Sequence, residues 1–487
     1  MTQTTSNTSS PASFSARKQA IHTVAEQNAP GRERWIRKNA FYHAEDQRYF
    51  RFMIAENQKV LELGCGNGDV LASLKPSHGV GIDFSERTIE MAQKNHPELD
   101  FVVGDIENPE VLKQLDGPFD AILLDDTIGD LEDVVNTLLD LHHLCDADTR
   151  IIIAYHSPLW RLPLFLAEKV GMRMPSVEKN WLTLGDIAKL VNLADFEIIR
   201  REWRQIMPKK FFGLGGLLNR FVATLPLIRT LCLRNYVVVR SLKQDPPNYT
   251  SCSVVVPARN EKGNIENAVL RLPEFCDHIE FLFVEGNSSD GTLDEMYRVQ
   301  KKYPEKDIKV MVQDGIGKGD AVRKGFEHAS CEVLVILDAD LTTPPEQIPQ
   351  FFDAVASGKG EYINGTRLIY PMENEAMRYL NSIANHIFPR IFTWLLNQHF
   401  TDTLCGTKVL SKTHYQKIAD NRSYFGDFDP FGDFDLIFGA CKLNLKVVEV
   451  PVRYANRTYG ETQISRFTHG WLLLKMMLFA FLRLKAF

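Results

Sequence analysis

Short apolar runs alternate with longer amphipathic segments along most of the 487-residue chain. In the first half, strand-like runs cover 59–63, 79–83, 101–105, 119–125 and 150–156, and two more follow at 196–201 and 236–242. A segment of helix length follows each of the first five runs. This alternation predicts an α/β domain built on a parallel sheet.

The pattern breaks at KQDPPNYTS (243–251), where paired prolines and polar residues predict a linker between domains. Strand-like runs resume at 252–258, 279–286, 308–314, 332–340, 361–367 and 445–452. We therefore predict two α/β domains in series, over residues 31–242 and 252–469. A flexible polar tail (1–30) is expected before them and an amphipathic segment (470–487) after them.

Composition and charge narrow the class of protein. Hydrophobic residues make up 44% of the chain and charged residues 24%, as in ordinary soluble domains. A net charge of −6 argues against nucleic acid as a partner. The eight cysteines are scattered, which predicts reduced thiols of a cytosolic protein rather than disulfides or a zinc site. No apolar run is long enough to predict a membrane-spanning helix.

A glycine-rich loop follows the first strand-like run. In VLELGCGNG, Glu62 lies at the strand end, and Gly64, Gly66 and Gly68 stand at alternating positions. Glycines allow a tight turn and a close approach of backbone to ligand. A helix that begins there also presents unpaired N–H groups to an anionic group. Such a loop by itself is shared by many nucleotide-binding folds and by plain turns.

Two acidic residues sharpen the prediction. Asp83 ends the second strand, where a carboxylate can accept both hydroxyl groups of a ribose, and Asp105 ends the third, where it can accept from an adenine amine. The alternative is that each caps a helix. Over residues 41–242 the pattern resembles the class I S-adenosylmethionine-dependent methyltransferases. The resemblance implies a Rossmann-like fold, S-adenosylmethionine as methyl donor, and Asp125 and Asp126 near its methionine part.

The candidate base for methyl transfer is His156, which follows the fifth strand. A structural histidine is the alternative there, and His142 and His143 are weaker candidates. Methyl transfer to a good nucleophile can also proceed by positioning alone.

An insertion at 207–235 separates the last two strand-like runs. Between 200 and 240 there are nine Arg or Lys residues and one acid, Glu202. Apolar surface beside excess positive charge suits the interface of an anionic bilayer. A buried connector, or a face against the second domain, is the alternative.

The second domain carries a paired-acid motif. In EVLVILDADLTTPPE, an apolar strand delivers Asp338 and Asp340 to the same side of its carboxyl end, because alternate residues of a strand point the same way. Two hard carboxylates at this spacing suit Mg²⁺ or Mn²⁺. Such an ion stabilises the charge that develops on a nucleoside diphosphate when a glycosidic bond breaks. We assign Asp338 and Asp340 as metal ligands and Asp340 as catalytic.

The motifs of residues 252–467 resemble glycosyltransferase family 2, in particular its dolichyl- or polyprenyl-phosphate sugar transferase branch. They comprise PARNE (257–261), FVEGNSSDGT (283–292), GIGKGDAVRKGF (315–326) and DADLTTPPE (338–346). The resemblance implies a GT-A fold that binds a nucleotide sugar. The implied contacts are Pro257, Arg259, Glu261, Glu285, Lys318 and Asp338.

The same resemblance assigns the acceptor side. The implied ligands of an acceptor phosphate are Arg367, Arg378, Ser382 and Arg457, although a solvated helix face is the alternative for Arg378 and Ser382. Asp433 and Asp435 are the candidate bases for a hydroxyl acceptor, with an ordinary turn-rich loop as the alternative. The sequence departs from the family pattern at Gly286, Thr342, Thr462 and Gln463.

Together these features predict a bifunctional transferase. A metal-dependent, inverting glycosyl transfer to a polyprenyl-phosphate or glycan acceptor is combined with methylation of the sugar or the glycolipid product. The segment 470–487 is expected to lie at a membrane interface, with a core helix or an oligomer contact as the alternative. We therefore expect a cytoplasmic protein on the inner face of a membrane. One rival is a glycosyltransferase whose first domain binds S-adenosylmethionine only as a structural or regulatory module. A non-catalytic scaffold is the other.

Overall fold

The computed structural model describes residues 14–370, 379–424, 432, 434–460 and 466–487; of residues 379–386 and 466–470 only the backbone is described. The chain divides into two compact units between Gln244 and Asp245. Each unit contains one seven-stranded sheet with helices around it.

The sheet of the N-terminal unit has the order β3-β2-β1-β4-β5-β7-β6. Its strands are β1 Lys59–Leu63, β2 His78–Asp83, β3 Asp100–Val103, β4 Ala121–Asp125, β5 Arg150–His156, β6 Phe196–Arg204 and β7 Arg234–Ser241. Strands β1 to β5 run parallel, whereas β7 is antiparallel to both β5 and β6. The predicted parallel sheet therefore holds for five strands only.

The helices of this unit cover both faces of the sheet, so its central strands are almost wholly buried and apolar. They are α1 Ala16–Asn28, α2 Arg32–Lys38, α3 Ala40–Met53, α4 Asp69–Ser73, α5 Glu86–Asn95, α6 Pro109–Leu112, α7 Val134–Leu139, α8 Arg161–Lys169, α9 Leu184–Leu193 and α10 Leu214–Leu217. Helix α5 illustrates why these sequences form helices. The Ser85 hydroxyl accepts from the Thr88 N–H at its start, and Ile89 and Ala92 face the core.

The prediction of a flexible tail over residues 1–30 is wrong from Ala16 onward. Residues 16–28 form α1, whose first turn is capped by the Ser15 hydroxyl, which accepts from the Lys18 N–H. The polar composition of this stretch concealed the helix, because its fold depends on contacts with distant parts of the unit.

The second sheet has the order β10-β9-β8-β11-β13-β12-β14. Its strands are β8 Ser251–Ala258, β9 His278–Glu285, β10 Asp307–Val312, β11 Val333–Ile336, β12 Tyr362–Thr366, β13 Lys408–Ser411 and β14 Val447–Pro451. Strand β13 runs antiparallel to both neighbours, and sequence analysis missed it. It has only four residues and begins with Lys408, which is buried, so it lacks an apolar signature.

The helices of the C-terminal unit are α11 Ile265–Leu270, α12 Thr292–Lys302, α13 Lys318–His328, α14 Ile348–Ala356, α15 Tyr379–Leu396, α16 Lys412–Asp420, α17 Phe434–Lys442 and α18 Arg466–Leu484. Helix α18 contains most of the predicted amphipathic segment and packs on α15, where the rings of Trp394 and Phe481 lie 5.7 Å apart. No helix in the described parts of the chain is both long and apolar enough to cross a membrane.

Candidate functional sites

The first candidate site is a cavity of about 580 Å³ in the N-terminal unit. The predicted residues Glu62, Gly64, Asp83 and Asp105 all line it. They follow or end β1, β2 and β3, because the carboxyl ends of parallel strands meet at one edge of a sheet.

The glycine loop has the backbone that its sequence predicts. Gly64, Gly66 and Gly68 have φ of +77°, +55° and +78°, which L side chains rarely adopt. A Cβ on Gly66 would lie 2.3 Å from a guanidinium nitrogen of Arg32. The loop is therefore tightly turned, and the side chain of Arg32 lies directly beside it.

Two buried carboxylates hold the loop in place. Glu62 accepts a 3.1 Å hydrogen bond from the Leu71 N–H, and burial raises the pKa of Glu62 well above its usual value. Asp83 accepts from the N–H groups of Gly66 (3.1 Å) and Ser85 (3.0 Å), and burial raises its pKa as well. Asp83 thus joins the glycine loop to the start of α5, and its predicted contact with a ribose stays a prediction.

Asp105 has a partner that sequence analysis did not identify. Its carboxylate forms an ion pair with Lys18 of α1, which also lies 2.8 Å from Glu107. Although burial acts to lower it, these two carboxylates raise the pKa of Lys18. Helix α1 therefore supplies a cation to the position predicted to bind adenine.

A cluster of charged side chains lies on the cavity side of β4, β5 and β7. Arg234 is fully buried; it forms ion pairs with Asp125 and Asp126 and lies 3.0 Å from Asp46 of α3. Burial, which outweighs the attraction of Arg234, raises the pKa of Asp125 to about 7. Burial also acts on Asp126, but Arg234 and His156 outweigh it and hold the pKa of Asp126 well below the usual value.

The candidate base His156 lies between two side chains of this cluster. Its Nδ1 is 3.1 Å from Asp126, and its Nε2 is 3.1 Å from the hydroxyl of Tyr42. Burial lowers the pKa of His156, so the neutral ring dominates at pH 7. A neutral imidazole oriented by a carboxylate is able to accept a proton.

The other two histidines have structural surroundings. His142 contacts the hydroxyl of Ser241 and the carbonyl of Ala194 (2.7 Å each), and its ring stacks on Phe196 at 4.1 Å. His143 lies 3.1 Å from the Leu112 carbonyl. These contacts are consistent with their rank as weaker candidates.

The second candidate site lies beyond the carboxyl ends of β8, β9 and β11. Asp338 is 2.7 Å from Lys318, the first residue of α13. Burial acts to raise the pKa of Asp338, but Lys318 outweighs it and lowers this pKa. A Cβ on Gly406 would lie 1.9 Å from an Asp338 oxygen, so the carboxylate packs directly against this glycine.

Arg457 brings two further predicted residues together. Its guanidinium lies 2.6 Å from Asp340 and 2.8 Å from Glu261. Burial raises the pKa of Glu261. The Thr342 hydroxyl donates a 2.8 Å hydrogen bond to Asp340. Residues assigned to nucleotide, metal and acceptor thus share one cluster.

The remaining nucleotide-side residues occupy the loops beside it. Pro257 lies at the end of β8, and Arg259 is exposed just beyond that strand. Glu285 ends β9, is buried, and accepts a hydrogen bond from the Ser288 N–H. Their contacts with a nucleotide stay predictions.

The acceptor-side predictions meet a more mixed outcome. Arg367 forms a bidentate ion pair with buried Asp402 at 2.6 and 2.9 Å. Two of the N–H donors of Arg367 are therefore already bound to the Asp402 carboxylate. Asp435 lies between Arg422 (3.6 Å) and Arg323 (3.9 Å), and its role as a base stays a prediction. Arg378 and Asp433, like Thr462 and Gln463, lie outside the described residues, as does the side chain of Ser382.

Each site has the polar groups that its implied ligand requires. The glycine loop, the carboxylates and the size of the cavity fit S-adenosylmethionine, whose ribose hydroxyls and cationic sulfonium need acceptors and negative charge. In the second site, Asp338 and Asp340 offer hard oxygen donors that are now balanced by Lys318 and Arg457. This donor set fits Mg²⁺ or Mn²⁺.

Comparison with known proteins agrees with the two architectures. Residues 54–207 match a methyltransferase domain family, and residues 253–418 match glycosyl transferase family 2. A dolichol-phosphate mannosyltransferase of Pyrococcus furiosus is 32% identical over 223 residues, which cover 44% of this chain. The chain spans 59% of the length of that relative.

Two solved structures are each similar to part of the chain. A methyltransferase of Thermotoga maritima, described as a possible histamine N-methyltransferase, is 18% identical (TM-score 0.36), covering 45% of this chain and 99% of its own. Glucosyl-3-phosphoglycerate synthase of Mycobacterium tuberculosis, solved with UDP, is 16% identical (TM-score 0.35), with coverages of 48% and 80%.

The chain therefore carries a methyltransferase domain followed by a glycosyltransferase family 2 domain. The two resemblances in the sequence, and their order, are confirmed.

Sequence analysis missed the residues that complete the first site. They are Lys18, Arg32, Tyr42, Asp46 and Arg234. Four of them come from helices or segments before the glycine loop, where no motif marks them. The one available signal was Arg234, a charged residue two positions before the apolar run 236–239 of β7.

Proposed function

We propose that the chain is a bifunctional transferase. Its C-terminal domain transfers a sugar from a nucleotide sugar to a polyprenyl phosphate, and its N-terminal domain methylates the sugar or the resulting glycolipid. The observation that carries the first activity is the cluster of Asp338, Asp340, Glu261, Lys318 and Arg457. The lipid acceptor is favoured by the dolichol-phosphate mannosyltransferase that matches this domain.

In sugar transfer, Asp338 and Asp340 would hold a divalent ion, and that ion would supply Lewis-acid stabilisation of the charge on the departing diphosphate. Lys318 adds a cation beside the same group. An acceptor phosphate oxygen is already anionic, so it attacks the anomeric carbon without a general base. Arg457, released from Asp340, orients that phosphate. Inversion follows from a single in-line displacement.

The test of this activity is nucleotide release from UDP- and GDP-sugars, with Mg²⁺ or Mn²⁺ and with or without polyprenyl phosphate. We expect release that depends on the lipid and falls at least about a hundredfold, or ~2.7 kcal/mol of barrier, in Asp340→Asn. Asp353→Asn, on the exposed side of α14, is the matched control and should retain the wild-type rate. An unchanged rate in Asp340→Asn would remove the metal hypothesis. Nucleotide release that does not depend on the lipid would indicate a hydroxyl acceptor.

For methyl transfer, S-adenosylmethionine supplies an electrophilic methyl group on a sulfonium. We infer that the acceptor is a hydroxyl group. As its oxygen bonds to the methyl carbon and the sulfur–carbon bond breaks, its proton passes through the Tyr42 hydroxyl to Nε2 of His156. The 3.1 Å contacts on both sides of this ring support the relay. Asp126 then stabilises the imidazolium.

Methyl transfer is tested with labelled S-adenosylmethionine and the isolated product of the first reaction. We expect label in the product, at least tenfold less label in His156→Ala, and wild-type label in His78→Ala, which alters an exposed histidine of the same unit. The alternative is a domain that binds S-adenosylmethionine only as a structural or regulatory module. That alternative predicts binding without any incorporated label.

We further propose that the protein works at a membrane surface. Trp471, Leu474, Leu478 and Leu482 form an exposed apolar stripe on α18, on the side opposite the buried Met476 and Ala480. Lys475 and Arg483 are exposed on the same helix. A stripe of this kind suits the boundary between headgroups and acyl chains, and it would keep the C-terminal domain close to a polyprenyl phosphate.

A further inference from the structure

Residues 207–231 of the N-terminal unit, here called the 207–231 segment, form an exposed apolar surface. Phe212 is fully exposed, and Leu227 is 88% exposed. The other exposed large apolar residues of the segment are Phe211, Leu214, Leu217, Phe221, Leu225 and Leu231. A soluble domain rarely presents so many large apolar side chains from one short segment unless they meet a partner.

The backbone holds two of these side chains outward at a conformational cost. Phe211 and Phe212 have φ of +39° and +53°, a region that bulky residues seldom adopt. Strain of this kind persists where the surrounding structure imposes it, and it is commonest at functional positions. Here it presents an aromatic pair to the outside of the domain.

The charge of the segment indicates the chemistry of the partner. It contains four cations, Lys209, Lys210, Arg220 and Arg229, and no acidic residue. Lys210 and Arg220 are exposed among the apolar side chains. Aromatic and aliphatic groups interspersed with cations complement a bilayer whose headgroups are anionic.

The surface also borders the methyltransferase cavity. Pro208 and Lys209 line that cavity, and so do Pro163 and Leu164 of α8. Helix α8 itself exposes Leu162, Phe165 and Leu166. The two segments meet where the Trp160 indole N–H donates a 2.9 Å hydrogen bond to the Leu231 carbonyl.

We propose that the 207–231 segment docks the N-terminal unit onto an anionic membrane. Docking by this face brings the cavity to the lipid surface, so the methyl acceptor is a headgroup that stays attached to its lipid. This second step rests on the proposed methyl transfer, whereas docking itself does not. The stripe on α18 belongs to the other unit and is a separate contact.

The experiment is hydrogen exchange of the full chain, free and bound to phosphatidylglycerol vesicles or to phosphatidylcholine vesicles. We expect protection of the 207–231 segment on the anionic vesicles and less of it at high salt, because surface charges are screened. A double variant, Phe211→Ser with Phe212→Ser, should lose this protection and bind at least about tenfold more weakly. Leu193→Ser, at an exposed leucine on α9, is the matched control and should behave as wild type.

Vesicle-bound protein without protection of the segment would overturn the proposal. So would protection that appears without vesicles and grows with protein concentration, because the partner would then be a second copy of the chain. Neither measurement requires turnover, so docking is judged separately from catalysis. If docking holds but no label enters any lipid product, the proposed methyl transfer is refuted instead.

Discussion

Replacing Arg234 by methionine tests the charged cluster on which the first site depends. The arginine is fully buried and pairs with Asp46, Asp125 and Asp126. Methionine retains much of its volume but leaves three carboxylates without their shared counterion. Removing one partner of a buried ion pair costs about 3–5 kcal/mol. We therefore expect a loss of this size in the free energy of unfolding of the N-terminal unit at pH 8.

The loss should be smaller at low pH. The pKa of Asp125 is about 7 in the folded protein, against an ordinary value of 3.8. The folded state thus binds more protons than the unfolded state between about pH 4 and 7, and this carboxyl makes stability fall as pH rises through that window. Without Arg234 the pKa values of the carboxyls rise further and extend the window upward. The gap between wild type and variant should accordingly widen from pH 5.5 to pH 8.

Urea unfolding at the two pH values measures this gap. The transition of the N-terminal unit is identified as the one that we expect S-adenosylmethionine to move to higher urea. Lys75→Met is the control, since the pair of Lys75 with Glu56 is exposed and should contribute at most ~1 kcal/mol. A change below about 1 kcal/mol at pH 8 in Arg234→Met, or an equal loss at both pH values, would refute the argument.

Two further predictions concern ligands. Because the ionised fraction of a group with a pKa of about 7 rises roughly tenfold from pH 6 to pH 8, the affinity for cationic S-adenosylmethionine should rise by up to about tenfold relative to neutral-sulfur S-adenosylhomocysteine. Calorimetry at both pH values checks this, and Asp125→Asn should abolish the difference; an equal pH dependence of the two ligands would place Asp125 away from the sulfonium. Gly406→Ala should push the Asp338 carboxylate from its place and weaken binding of Mn²⁺ with nucleotide at least tenfold, as followed by electron paramagnetic resonance. Unchanged Mn²⁺ affinity would show that Asp338 is not a ligand.

Much of the fold was accessible from local sequence. Apolar runs predict strands because a strand covered on both faces must be apolar, and connections of about a dozen residues or more between them favour parallel neighbours. The pattern could not indicate β13, since Lys408 interrupts it. That lysine is tolerated because its ammonium group donates to the side chain of Asn364 at 2.6 Å and to the Cys405 carbonyl inside the fold. Asn364 lies on another strand, so the local sequence does not indicate this contact.

The sequence by itself determined where each site begins. Positive φ favours glycine, so the tight turn at Gly64 can be predicted from local sequence, and the apolar run that ends just before Asp338 and Asp340 places both at the carboxyl end of a strand. Only the tertiary structure decided which charges meet there. Arg234 pairs with Asp46, 188 positions away along the chain, and α1 delivers Lys18 to Asp105. Backbone geometry is set by neighbouring residues, whereas the partner of a buried charge is set by which elements pack at the same edge of a sheet.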